Sequence, residues 1–215
     1  MKLLMQKARF LLLILIANIF LGCSDISSQK VIIFFENPQF LEQEEDLLEA
    51  LGDINSNKKL AEFLKNQNWI SSFLIKKNAF KPLEIFIESK KPKYIWQGKF
   101  YLDENLSKFL YFGEHPDLLR LQIPIEFVSE WLKIEKQVYE VLEAFNLRIS
   151  SVTYTEAEGW YFNTRNNLRI NMGSHLSHKI FEKLSLTLKY IFEKNLTPSI
   201  IDLRYKDGAA LNYGK

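Results

Sequence analysis

Ile200-Ile201-Asp202-Leu203-Arg204-Tyr205-Lys206-Asp207-Gly208-Ala209-Ala210-Leu211 is the stretch on which the reading of this chain turns. Side chains alternate faces along an extended strand, so Ile201, Leu203 and Tyr205 share one face. Asp202, Arg204 and Lys206 share the other. Asp207-Gly208 is predicted to supply the two positive-φ positions of a tight hairpin turn. Ala209 to Tyr213 then returns as a short final strand. Spacing alone makes this the last hairpin of a β-rich domain. It leaves a sheet edge, and an edge is either protected or used.

Working back from the hairpin, Pro198 closes a helix that carries Leu176, Ile180, Leu184, Leu188 and Ile191. The spacing starts this helix at Gly173-Ser174. Leu168, Ile170 and Met172 alternate along a strand that enters through an Asn166-Asn167 turn. Trp160 to Thr164 and Leu147 to Thr155 read as further strands. Phe127, Trp131, Ile134, Val138, Val141, Leu142 and Phe145 mark one face of a longer helix. Leu119 to Ile123 is a short strand ended by Pro124, and Tyr94 to Leu102 is a hairpin.

Upstream, Val31 to Phe35 is a β-branched and aromatic run, which suits a buried strand. Asn37-Pro38 breaks it. Glu42, Glu44, Glu45 and Asp46 crowd the first turns of a helix reaching about Leu51, where acids suit the helix dipole. Ser56 caps a second helix with Leu60, Phe63 and Leu64 inward. Trp69 to Lys76 and Leu83 to Glu88 read as strands joined by a turn at Asn78 to Pro82.

Composition excludes more than it identifies. The 215 residues are 47% hydrophobic and 25% charged, with a net charge of +2. That is ordinary globular material, with no basic excess directed at nucleic acid. Cys23 is the one cysteine, so no intrachain disulfide is possible. His175 and His178 are three apart, a spacing more often surface decoration than a metal site without a third ligand. No Gly-rich phosphate loop, nucleophile elbow or metal-binding helix is present in the sequence. The four tryptophans, Trp69, Trp96, Trp131 and Trp160, are expected in the core.

The amino terminus carries Lys2, Lys7 and Arg9, followed by an almost purely apolar run from Phe10 to Cys23. A signal anchor, a cleaved signal peptide and a lipoprotein signal all fit it. As a helix the run spans about 21 Å, short of a hydrocarbon layer of about 30 Å. Counting from Leu3, with Lys7 and Arg9 snorkelling, lengthens it to about 20 residues. Basic residues on the amino-terminal side place that side in the cytoplasm. Phe20-Leu21-Gly22-Cys23 resembles a lipoprotein processing box, with phenylalanine where leucine is usual.

Taken in order, these segments resemble the FtsQ/DivIB family of bacterial cell division proteins over roughly residues 31 to 213. The resemblance rests on Asp202-Leu203-Arg204-Tyr205 followed by Asp207-Gly208-Ala209-Ala210. It also rests on Trp69-Ile70, Lys76-Lys77, Pro82, Ile87-Glu88, Pro92 and Trp96, and on Trp160, the Asn-Asn turn and Met172-Gly173. It implies an α+β chain: a cytoplasmic tail (1–9), a membrane anchor helix (10–23), a POTRA domain of βααββ order (29–97), and a mixed β-sheet domain with two packing helices (98–215). The anchor is then uncleaved, single-pass in the inner membrane, with the bulk of the chain periplasmic at the division septum. The family's first strand commonly ends in a glycine-bearing turn, where this chain has Glu36-Asn37-Pro38.

The same resemblance implies a non-enzymatic scaffold with no cofactor, metal or small-molecule substrate. Its implied partners are FtsB and FtsL, with FtsK and other division proteins beside them. Arg204, Tyr205, Asp207, Gly208 and Ala209 match the family's partner-binding hairpin, whose outer strand receives a strand from FtsB. Ile75 and Lys77 match positions that recruit the protein to the division site. Arg204 offers a fork for a partner carboxylate; the competing reading pairs it with a neighbouring acid on the sheet. The family often carries an arginine just before Trp160, where this chain has Glu156-Ala157-Glu158-Gly159. Two other functions stay open beside the scaffold. One is a lipoprotein or secretion accessory using a single POTRA module. The other is an enzyme whose site the sequence does not reveal.

Overall fold

The computed structural model describes residues 30–36, 43–52, 54, 56–78, 81–110 and 115–214. The tail, the apolar run with Gly22-Cys23, and the Asn37-Pro38 break lie outside the described residues. Among the described residues no helix is long and apolar enough to cross a membrane. The chain divides into two compact units, Met1–Lys90 and Lys91–Lys215. Together they make a mixed α+β protein with one small and one large sheet.

The first unit runs strand, helix, helix, strand, strand, as the apolar spacing predicts: β1 (Val31–Phe35), α1 (Gln43–Gly52), α2 (Asn57–Lys65), β2 (Ile70–Lys76) and β3 (Leu83–Ser89). β3 is central, parallel to β1 and antiparallel to β2. One face is an apolar row, with Ile33 and Ile75 opposite Ile85. Leu47, Leu51, Leu60 and Leu64 of the helices are buried with it. Ser56 caps α2, its Oγ accepting from the Lys59 N–H at 3.3 Å, which ties down one of the orphan donors of the first turn. Phe34 stacks on Phe86 at 4.7 Å on the other face, and the Lys76 Nζ lies 4.5 Å over the Phe86 ring.

The second unit contains a nine-stranded sheet whose strands are, from one edge to the other, Ala210–Asn212, Ile200–Asp202, Arg169–Gly173, Gly159–Thr164, Ile149–Thr155, Leu119–Gln122, Tyr94–Trp96, Phe100–Leu102 and Lys108–Leu110. β4 (Tyr94–Trp96) and β5 (Phe100–Leu102) form the expected hairpin. Its turn residues Gln97 and Gly98 both have positive φ, at 53° and 65°, as a two-residue hairpin loop requires. β6 (Lys108–Leu110) adds an outer strand that hydropathy does not mark. β7 (Leu119–Gln122) and β8 (Ile149–Thr155) are parallel, joined through α3 (Ile125–Glu143). β9 (Gly159–Thr164) and β10 (Arg169–Gly173) follow as a hairpin. α4 (His178–Glu193) crosses to β11 (Ile200–Asp202), parallel to β10, and β12 (Ala210–Asn212) pairs antiparallel outside it.

Register separates the two faces of this sheet. Val152, Phe162, Ile170, Ile201 and Leu211 are paired in one row across five strands. That row packs into one cluster with Val128, Trp131, Val138 and Leu142 of α3 and Phe181, Leu184, Leu188 and Ile191 of α4. The neighbouring row, Thr153, Tyr161, Asn171, Asp202 and Ala210, points the other way. Trp69, Trp131 and Trp160 are buried as expected. Trp96 is half-buried, its indole N–H donating to the Ile123 carbonyl at 2.9 Å.

Three expectations are corrected. The helix does not begin at Gly173-Ser174. Gly173 closes β10 at φ +91°, after a bulge opposite Trp160, and α4 opens at His178 behind Ser177. The strand beginning at Ile200 stops at Asp202, so Tyr205 does not continue the inward face of Ile201 and Leu203: it is 59% exposed while both leucine and isoleucine are buried. Asp207-Gly208 is not a positive-φ pair, since neither residue has left-handed backbone. Residues 203–209 form a longer loop between β11 and β12.

Candidate partner-binding edge

β11 ends early for a local reason. The Asp202 carboxylate accepts from the Arg204 backbone N–H at 3.0 Å, a side-chain turn that draws the chain out of the ladder. The Arg204 side chain closes on the same carboxylate, its Nε at 2.9 Å and 3.1 Å from the two oxygens and its Nη2 at 2.5 Å. Arg204 is therefore paired with a neighbouring acid, in a forked, charge-assisted arrangement. The Arg204 hydrogen bond, its backbone N–H and the Asn171 amide outweigh partial burial. They hold the Asp202 carboxyl below the usual carboxylate range. Because the shift favours the charged form, the fork is kept through the ordinary carboxylate range and is lost as the pH falls below it.

The loop is gripped from the helix side as well. Lys183 of α4 donates its ammonium to the carbonyls of Leu203 at 3.2 Å and Tyr205 at 2.6 Å. Leu203 N–H donates to the Asn171 carbonyl at 2.9 Å, and the Leu203 side chain is buried. A short segment fixed at both flanks is preorganised, which lowers the ordering cost of any contact it makes. Arg204, Tyr205, Asp207 and Gly208 all stand on this loop; Ala209 closes it, half-buried against the core.

Beyond the loop, β12 is the outermost strand of the sheet, paired among the described residues on its β11 side alone. Beside it runs a groove of about 520 Å³ lined by Leu186, Thr187 and Tyr190 of α4 and by Gly208, Ala209 and Leu211. Leu186 is 69% exposed and Tyr190 53%. Sequence reasoning passed over both residues and Lys183. Its signal for the first two was present: large apolar side chains at i and i+4 standing outside the helix's own apolar stripe. A second groove, also about 520 Å³, lies on the loop's other flank between Glu156, Glu158, His175, Lys179 and Arg204.

Glu158, in the segment that departs from the family pattern, is neutralised within the chain by Arg169 at 2.8 Å. Gly159 follows at φ +73°, where a Cβ would run into the carbonyl of Gly173; only glycine fits there. Ile75 and Lys77 lie in the first unit, apart from this edge in sequence and sheet. Register sets Ile75 opposite the buried Ile85, while Lys77 is exposed just beyond the end of β2.

No protein-family model matches the chain. Three curated proteins do resemble it, all described as cell division protein FtsQ. The Vibrio cholerae protein is 23% identical over 158 residues, covering 72% of this chain and 60% of its own length. The Aliivibrio fischeri protein is 23% identical over 78% of this chain and 67% of its own length. The Neisseria meningitidis serogroup B protein is 23% identical over 75% and 68% respectively. The chain thus matches about three fifths to two thirds of each relative's length.

Proposed function

We propose that this chain, which belongs to the FtsQ/DivIB family of bacterial cell division proteins, is a non-enzymatic scaffold of the division machinery. It binds FtsB, and FtsL with it, outside the inner membrane and so links early and late division proteins. The observation that carries the reading is the place of β12 at the rim of the nine-stranded sheet. An incoming strand can take up the unpaired backbone groups of that rim. Leu186 and Tyr190 then offer an apolar shelf beneath its inward side chains, and Arg204 and Tyr205 flank its end. Tyr205, large, flat and exposed on a fixed loop, is the anchor of this contact.

The first unit, with its strand-helix-helix-strand-strand order, we read as the POTRA domain through which the protein reaches the division site. Of the two matched positions Lys77 is exposed and Ile75 half-buried. Lys77→Glu is expected to lower the mid-cell fraction of a fluorescent fusion without lowering its abundance; normal localisation removes this site.

The binding reading is tested with Tyr205→Ala in the full chain, its fold checked by circular dichroism. Affinity for full-length FtsB should fall about tenfold or more. Unchanged affinity, with Lys206→Ala weakening it instead, puts the contact on the other side of the loop and sinks this register.

A further inference from the structure

The open face of the large sheet carries a chain of polar contacts that ends at Arg204. We propose that Arg169 is a positioning residue for the partner contact made by Arg204, acting through Asn171 and Asp202; this rests on the binding reading above.

The chain of contacts begins at the β8–β9 turn. Glu158 accepts from Arg169 Nη2 at 2.8 Å, and the Arg169 guanidinium lies 3.8 Å over the Tyr161 ring. Arg169 Nε donates to the Asn171 side-chain oxygen at 2.8 Å. Asn171 is buried and stands between Tyr161 and Asp202 in its row. With its oxygen taken by Arg169, its amide can offer only N–H to the next strand. Asn171 stands opposite Asp202 in the β10–β11 register, which turns that N–H toward the carboxylate, and Asp202 in turn holds both the backbone and the guanidinium of Arg204. Arg169 therefore fixes which way the Asn171 amide faces. Turned over, Asn171 would present oxygen to a carboxylate, and the fork on Arg204 would lose its support. Gly173 lies beside this arrangement on a backbone at φ +91° that resists any side chain, and a Cβ there would be in contact with Arg204 Cγ at 3.4 Å.

Two substitutions separate this role from bulk stability. Arg169→Met keeps the apolar stem and removes every donor. Arg169→Gln carries an amide nitrogen on Cδ, where arginine carries Nε, and so restores the donor to Asn171. Neither retains the charge opposite Glu158, so the pair isolates the Asn171 contact. In the full chain, Arg169→Met should weaken FtsB binding about tenfold, and Arg169→Gln should recover most of that loss. On an Arg204→Ala background Arg169→Met should have no further effect, because its influence passes through Arg204. Equal weakness of Met and Gln, or a loss that persists without Arg204, overturns the proposal. A second measurement needs no partner. In the unbound full chain the Arg204 Nε–H resonance should be protected from exchange in wild type and Arg169→Gln, and exposed in Arg169→Met. If wild type does not bind FtsB, the binding reading fails; the resonance still decides whether Arg169 positions Arg204, and its persistence in Arg169→Met rejects that.

Discussion

Gly208 illustrates how a single residue changes meaning once its backbone is known. As half of a positive-φ pair it would be indispensable to the turn, and any substitution would report strain. Its backbone is not left-handed, and a Cβ built on it meets nothing within 4 Å. Gly208→Ala should therefore leave the unfolding free energy, read from urea denaturation, within about 0.5 kcal/mol of wild type, as for other substitutions free of strain or burial. It borders the groove beside β12, so the added methyl meets an incoming chain instead. FtsB binding should weaken several-fold while the denaturation curve stays put. A shifted midpoint with unaltered binding would return Gly208 to a structural role. The sequence marks Asp-Gly as a turn correctly and mistypes it, because the feature that lengthens the loop is a side chain. Asp202 captures Arg204 two residues on, and no local propensity scale carries that pairing.

Elements were legible wherever apolar spacing was regular. α3 shows the stripe expected of it, with Trp131, Val138 and Leu142 buried and Phe127, Ile134 and Val141 packed against the same core. α2 starts behind its serine cap. β6 was not legible: Lys-Phe-Leu is too short to show a period, and it is a strand because β5 pairs with it. The start of α4 was misplaced for a related reason. Gly173 reads as a helix boundary, whereas its positive φ serves a bulge and a close approach to Gly159, contacts distant in sequence. α4 also separates stability from binding within one turn. Leu184 is fully buried and Leu186 is 69% exposed. Leu184→Ala should cost about 2–5 kcal/mol through the cavity it leaves. Leu186→Ala should cost under about 0.5 kcal/mol and yet weaken FtsB binding, because it removes the shelf and not the core. Thermal melts of both variants, beside their FtsB titrations, check the division. A Leu186→Ala protein that binds normally takes the groove out of the interface.

At the scale of the whole molecule, the proposed scaffold has to present its two described units to a partner on one side of a membrane, and the residues expected to set that topology lie outside the described structure. Lys2, Lys7 and Arg9 precede an apolar run that ends at Cys23, and positive residues favour the cytoplasmic side. Only seven residues, 24–30, separate that run from β1 at Val31. Seven residues fully extended reach about 25 Å, so the proposed topology keeps the first unit close to the membrane surface. An uncleaved anchor and a lipoprotein acylated at Cys23 both give this arrangement, and both expose the sheet edge on the far side from the cytoplasm. Alkaline phosphatase fused after Lys215 should accordingly be active, and a fluorophore that matures only in the cytoplasm should be dark there. The reverse pattern would overturn the topology and the binding of an extracytoplasmic partner with it. The two anchoring modes then part on mass. An intact protein that retains residues 1–22 spans the membrane once, as the division scaffold requires. Loss of those residues with acyl mass gained at Cys23 would make the chain a lipoprotein, its β12 edge still presented to the same compartment.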